Sequence, residues 1–153
     1  MSLQRISETF TDPKQFSCYL VMDPCNDLSI RAAMRYWGCA MQAGIRVTGG
    51  FYADTTSREM SDVKEKFSPL ILSSLPSFPL EPDINWSKLI STMAHETKLL
   101  LEKDHGGGTP SPVEFNIQEK KVAFLLPGFD KTEIKLSQVS SHKLLITFYC
   151  DFL

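Results

Sequence analysis

Two apolar segments on either side of a helical pattern constrain the fold of this chain more than any other feature. Phe16–Met22 is almost continuously apolar, which is typical of a strand covered on both faces in a parallel sheet. Asn26 or Asp27 is a suitable helix N-cap, and Gly44 suits the left-handed position after a helix. Ile45–Tyr52 then reads as a second strand, so the pattern predicts a right-handed βαβ unit. Between the caps, apolar residues recur at helical spacing at Ile30, Ala33, Met34, Trp37, Ala40 and Met41.

The next part of the chain is predicted to be mainly helical. Val63–Leu72 favours a short helix interrupted at Pro69, and the three prolines of Leu75–Asp83 require an extended segment. Asn85 is expected to cap one further helix. Its inner face would carry Trp86, Leu89, Ile90, Met93, Thr97 and Leu100.

A glycine- and proline-rich segment, His105–Pro112, separates this part from a β-rich tail. Glu133–Leu136 alternates charged and apolar residues, as a half-buried strand does. Four strands are predicted in the tail, at Val113–Ile117, Lys121–Leu125, Thr132–Gln138 and Lys143–Tyr149.

Composition excludes several classes of protein. The 153 residues are 42% hydrophobic and 22% charged, which is typical of a globular chain rather than a disordered one. A net charge of −2 gives no electrostatic basis for binding nucleic acid, and no apolar run approaches the length of a spanning helix. The four cysteines contain no CxxC pair, which argues against a zinc site and a disulfide framework.

Known catalytic patterns are missing from the 153 residues. No segment matches GxxxxGK[ST] or GxSxG, and Gly106–Gly108 lacks the lysine that a phosphate-binding loop needs. Cys25 precedes a helix N-terminus, which can lower a thiol pKa, but a structural thiol is the favoured interpretation. We therefore assign no catalytic residue and no metal ligand.

Two positions are candidates for ligand contact. Asp23 follows the first strand, where open α/β sheets place their ligand crevice, although a turn or capping role is equally consistent. Thr48, Gly49 and Gly50 are interpreted as the end of the second strand, where a ligand could approach the backbone. A turn or bulge is the favoured alternative for these three residues.

Two segments resemble known sequences. Thr9–Ser29 is similar to a strand–helix segment of the ArsA-like ATPases, the arsenical-pump and tail-anchored-protein-targeting family. Val122–Leu136, which contains Leu126-Pro127-Gly128-Phe129, resembles the small heat-shock-protein (α-crystallin) sandwich that plant and cyanobacterial members carry at their C-terminus. In the first segment, the order is kept by Asp12-Pro13, Phe16, Val21, Pro24 and Leu28-Ser29, and Ala43-Gly44-Ile45 matches the following helix end.

The resemblance implies a cofactor and a set of contact residues. ATP would be the cofactor, with its adenine beside Thr48, Gly49 and Gly50 and with Asp23 and Pro24 nearby. The family's usual asparagine–glutamine pair is replaced by Gly49-Gly50, its glutamate by Cys25, and its zinc CxxC pair is missing. These departures point to the plant-type branch that carries the sandwich.

The resulting hypothesis is an α/β chain with a partial parallel nucleotidase sheet and helices, followed by a small α-crystallin-like β-sandwich. Residues 1–108 would form the C-terminal portion of a P-loop ATPase-like domain, with the βαβ unit at 16–52 and helices at 61–104. Residues 109–153 would form the sandwich.

The functional expectation is a C-terminal fragment or short isoform that does not hydrolyse ATP alone. Its parent would couple ATP hydrolysis to protein targeting or anion handling; the alternative is a non-enzymatic chaperone-like or protein-interaction module. Expected partners are a second copy or an apolar protein segment, with no nucleic acid and no integral membrane segment. The branch resemblance suggests the chloroplast, with the cytoplasm as the alternative.

Overall fold

A three-stranded parallel sheet forms the centre of the first two thirds of the chain. Its strands are β1 (Cys18–Met22), β2 (Val47–Ala53) and β3 (Leu72–Leu75), hydrogen-bonded in the order β1-β2-β3. The mixed α/β class and the βαβ unit predicted from the sequence are therefore confirmed. The computed structural model describes residues 3–53, 60–76, 85–102, 111–140 and 143–148.

Helix α2 (Asp27–Gln42) joins β1 to β2, as predicted. The Asn26 side chain caps it by accepting hydrogen bonds from the backbone N–H groups of Leu28 and Ser29. At the other end Gly44 has a φ of +73°, the left-handed conformation that closes a helix. The helix buries one face against the sheet through Ile30, Ala33, Trp37 and Met41.

The main core lies between α2 and the sheet. The Trp37 ring stacks on that of Phe67 at a centroid distance of 6.0 Å, and both side chains are almost fully buried. Phe67 follows helix α3 (Ser61–Lys66), which also contributes the buried Val63. A further helix, α1 (Leu3–Thr11), precedes the sheet and was not anticipated from the sequence.

The third strand corrects the prediction that residues 61–104 are helical. The predicted helix at Val63–Leu72 ends at Lys66, and β3 begins at Leu72. Pro69 prevents continuation of the helix, and Leu72–Leu75 pair in parallel with β2 from Gly50 to Ala53. The extended segment predicted at Leu75–Asp83 lies beyond residue 76 outside the described residues.

The helix predicted after Asn85 is in fact two helices. α4 (Trp86–Thr92) and α5 (His95–Leu101) are separated by Met93 and Ala94, whose ψ angles are 139° and 148°. The Thr92 hydroxyl donates to the Leu89 carbonyl, a local bond that competes with continued helical bonding. Trp86 and Ile90 are exposed, so their predicted place on the inner face is wrong, while Leu89, Thr97 and Leu100 are buried as predicted.

The four strands predicted in the tail are present and form two antiparallel hairpins. β4 (Val113–Asn116) pairs with β5 (Lys121–Phe124), and β6 (Ile134–Ser140) pairs with β7 (Lys143–Phe148). Within the described residues these are two separate two-stranded antiparallel sheets, and the predicted sandwich is not confirmed. The predicted linker His105–Pro112 lies outside the described residues as far as Pro110.

Candidate functional site

A crevice opens where the three parallel strands end. Because β1, β2 and β3 run in the same direction, their carboxyl ends meet at one edge of the sheet, the usual ligand position in open α/β folds. The crevice has a volume of about 490 Å³. It is lined by Val21, Met22, Asp23, Ser29, Ala53, Leu75 and Pro76.

Asp23 is the candidate residue that lies in this crevice. It is exposed and follows the last residue of β1. Its Oδ1 accepts a hydrogen bond of 2.9 Å from the Cys25 N–H, and its own N–H donates to the Ser29 Oγ at 3.0 Å. Asp23 therefore holds the turn between β1 and α2, which is the structural role that the sequence left open. The neighbouring Pro24 is fully buried within this turn.

Thr48, Gly49 and Gly50 do not lie at a strand end. They are inside β2, which continues to Ala53, so the interpretation of a strand end is wrong. The pairing with β1 passes from Val47 to Gly49 and leaves Thr48 out of register. This irregularity is a β-bulge, which agrees with the turn or bulge that the sequence favours over ligand contact at these residues. The bulged Thr48 has a buried Oγ1 without a hydrogen-bond partner among the described residues.

The protein's own leucines occupy the space beside both glycines. A Cβ at Gly50 would lie 2.5 Å from Leu72 Cδ2, and one at Gly49 would lie 2.8 Å from Leu100 Cδ2. These two positions therefore bring β2 close to β3 and α5. The structure places Asp23 at the crevice, buries the adjacent Pro24 away from it, and places Thr48–Gly50 inside the sheet.

A second constellation joins the tail to helix α2. Arg35 forms a bidentate ion pair with Glu133, in which both guanidinium nitrogens lie 2.7 Å from a carboxylate oxygen. It also donates to the Gly128 carbonyl at 3.0 Å, and its guanidinium lies 4.3 Å from the Phe129 ring centroid. One side chain of the α/β part therefore contacts three residues of the tail.

Two glycines allow the tail to approach the helix backbone. Gly128 has a φ of +73°, and a Cβ there would lie 2.5 Å from the Arg35 backbone nitrogen. A Cβ on Gly38 would overlap the Pro127 carbonyl oxygen. Pro127 is buried by this contact. We call Pro127–Phe129, with Arg35, Gly38 and Glu133, the α2–tail contact. Sequence reasoning missed it, although a glycine in the middle of an otherwise regular helix was a signal for close packing.

The ion pair changes the titration of Glu133. Hydrogen bonds from Arg35 and from the Asp130 N–H lower the pKa of Glu133 from 4.5 to about 2. Asp130 accepts a hydrogen bond from the Thr132 N–H, which lowers its pKa as well. The two carboxylates cap the 3-10 helix Lys131–Glu133 and fix its orientation on Arg35.

The described part of the chain offers few other groups for metal binding or nucleophilic catalysis. Its residues contain no cluster of three or more His, Cys, Asp or Glu side chains able to hold a metal ion. Burial raises the pKa of the Cys18 thiol, so a smaller fraction of it is present as the nucleophilic thiolate. Among the described helices, none is both long and apolar enough to cross a membrane.

No protein-family model matches this chain, and no curated protein sequence matches it.

Proposed function

We propose that the chain is a C-terminal portion or short isoform of an ArsA-like ATPase and does not hydrolyse ATP by itself. The observation that carries the proposal is the crevice at the carboxyl ends of three parallel strands, with Asp23 at its rim. ATP would be the ligand of the parent, which would couple hydrolysis to protein targeting or anion handling. The chloroplast is the proposed location.

The chain's own residues support a role on the nucleoside side of such a site. A carboxylate at the carboxyl edge of a parallel sheet lies where ligands of open α/β folds bind, and it can accept a hydrogen bond from a ribose hydroxyl. The crevice is otherwise mostly apolar and suits a base more than a triphosphate. Because Leu72 and Leu100 fill the space at Gly50 and Gly49, the proposed contact is at Asp23 rather than along β2.

This role can be tested by titrating the labelled full chain with ADP at millimolar concentration and following backbone amide signals by NMR. We expect shifts at Asp23, Ser29 and Leu75, and no phosphate release from ATP above a purified blank. Asp23→Asn should weaken the shifts, whereas Asp62→Asn on α3 should not. Turnover by the chain alone, or shifts restricted to the tail, would contradict the proposal.

The two hairpins favour a second candidate, a chaperone-like module with α-crystallin-like strands. Cross-strand pairing places Phe115 and Val122 on one face of β4–β5, and it places Leu136 and Ile146 on one face of β6–β7. Phe115 and Leu136 are 74% and 62% exposed. We propose that these faces would pack on each other as the inner faces of a small sandwich, and that when uncovered they bind apolar client segments.

The client hypothesis has a matched test within one strand. If the apolar faces bind clients, Leu136→Ser should reduce suppression of aggregation of a heat-denatured test enzyme. Lys135→Ser changes the opposite face of the same strand and should leave suppression unchanged. Equal suppression by both variants would remove the support for client binding through these faces.

A further inference from the structure

Two side chains of the crevice, Asp23 and Ser29, have hydrogen-bonding capacity that the described part of the chain does not use. Oδ1 of Asp23 accepts the Cys25 N–H, whereas Oδ2 has no donor among the described residues. The Ser29 hydroxyl accepts the Asp23 N–H at 3.0 Å, and its own proton has no acceptor among the same residues. The pair therefore offers a bound molecule one charged acceptor and one donor.

Backbone hydrogen bonds fix both groups before any ligand arrives. The bond from the Cys25 N–H holds the Asp23 carboxylate in the turn after β1. Ser29 lies in the first turn of α2, where its own N–H donates to the capping side chain of Asn26 at 3.3 Å. Because the turn and the helix start are tied together by the bond from Asp23 to Ser29, the acceptor and the donor are preorganised side by side.

The charges at this end of α2 favour a neutral polar group of the ligand over a phosphate. A helix N-terminus attracts anions, but here Asp23 and Asp27 place two carboxylates beside it. Among the described residues that line the crevice, none is a lysine or an arginine. A phosphate would therefore be repelled, whereas a sugar hydroxyl can donate to Asp23 or accept from Ser29.

The other side of the crevice is apolar. Leu75 and Pro76 line it at the end of β3, and Ala53 lines it at the end of β2. Since β2 lies between β1 and β3, two strand spacings of ~5 Å separate the polar pair from Leu75. This separation is close to the length of a nucleoside, so the crevice can hold a sugar at one end and a base at the other.

We propose that Asp23 and Ser29 bind the two ribose hydroxyls of a nucleotide, with the base against Leu75 and Pro76, and that the crevice selects ribonucleotides over deoxyribonucleotides. Oδ2 of Asp23 would accept from one hydroxyl of the diol, and Ser29 would donate to the other. This inference rests on the proposed function and adds the orientation and the sugar selectivity of the same site.

The test compares ADP with 2′-deoxy-ADP and 3′-deoxy-ADP on the labelled full chain, with dissociation constants taken from the Leu75 amide signal by NMR. Each deoxy analogue should bind about tenfold more weakly than ADP, because it loses one hydrogen bond of a group fixed in the crevice. Ser29→Ala should abolish the difference for one of the two analogues. Ser29→Thr keeps the hydroxyl and should preserve it.

Asp27→Asn is the matched control for charge, since Asp27 lies at the same helix start but does not line the crevice. It should change the affinities for ADP and for both deoxy analogues by the same factor. A selectivity that disappears in Asp27→Asn would show that general charge, rather than contact with the sugar, causes it, and would overturn the proposal.

The dispersion of the amide signals verifies that each variant is folded. Equal affinities for ADP and both deoxy analogues, with ADP still shifting Asp23 and Leu75, would overturn the sugar selectivity and leave the proposed function standing. Full discrimination against both analogues in folded Ser29→Ala would overturn the role of Ser29. The absence of any shift with ADP would overturn the proposed function and this inference together, so the two failures are distinguishable.

Discussion

The α/β part and the tail use apolar residues in opposite ways. Trp37 is 1% exposed, because α2 lies flat on a sheet and α3 closes the space behind it. In the tail Phe115 is 74% exposed, although its strand alternates as regularly as a half-buried strand should. A helix on a three-stranded sheet can bury a core, whereas a two-stranded hairpin needs a second layer. The tail is anchored instead through Pro127, which is buried against α2.

The largest expected effect is on the free energy of unfolding: removal of a large aromatic side chain should lower it much more in the α/β part than in the tail. Trp37→Ala should lower the free energy of unfolding by about 3–5 kcal/mol, since it opens a cavity beside Phe67. Phe115→Ala should change it by no more than about 0.5 kcal/mol, because the ring is mostly in solvent. Urea unfolding of both variants measures the contrast, and equal losses would show that the tail has a core of its own.

The next largest effect concerns the α2–tail contact. Gly128→Ala should cost roughly 2–4 kcal/mol, because the new Cβ is strained at positive φ and overlaps the backbone of Arg35. Gly44→Ala is the matched control, since Gly44 has the same φ of +73° but faces only the Thr11 side chain at 3.3 Å. Its cost should be about 1–2 kcal/mol. Equal costs measured in urea would mean that Gly128 does not press against α2.

Elements whose ends and buried faces are determined by residues close together in the chain could be predicted from the sequence. Asn26 and Gly44 mark the ends of α2, and the apolar spacing between them identifies its buried face. The carboxyl end of β1 likewise identified Asp23 at the crevice. β3 was missed because Leu72–Leu75 is short and half serine, so it has no strand pattern of its own. The break between α4 and α5 depends on side-chain hydrogen bonds that spacing does not show.

Contacts between distant segments could not be read from the sequence. Arg35 and Glu133 are 98 positions apart, and either one alone resembles an ordinary surface charge. From the sequence Gly49 and Gly50 are candidates for ligand contact, with a turn or bulge favoured, because a glycine pair in or after a strand indicates close backbone approach. The approaching groups are Leu100 and Leu72, which only the tertiary structure reveals.

The smallest expected effect is the dependence of stability on pH through Glu133. Its pKa is about 2 in the folded chain and 4.5 ordinarily, so its contribution is complete above pH 4.5 and is lost as the pH falls toward 2. The difference in unfolding free energy between the wild type and Glu133→Gln should therefore shrink across this range. Glu119→Gln, which removes an exposed pair with Lys121, should follow the wild-type pH dependence. A difference for Glu133→Gln that stays constant from pH 6 to pH 2 would contradict the ion pair.

The contact between α2 and the tail is tested most directly by proton NMR on the full chain. The Phe129 ring lies against the position that a Cβ of Gly38 would take, with Cε2 at 2.7 Å. We predict nuclear Overhauser effects between the Gly38 α protons and the Phe129 ring protons, and their loss in folded Gly128→Ala. A well-dispersed spectrum of the folded chain that lacks these effects would show that the tail does not dock on α2.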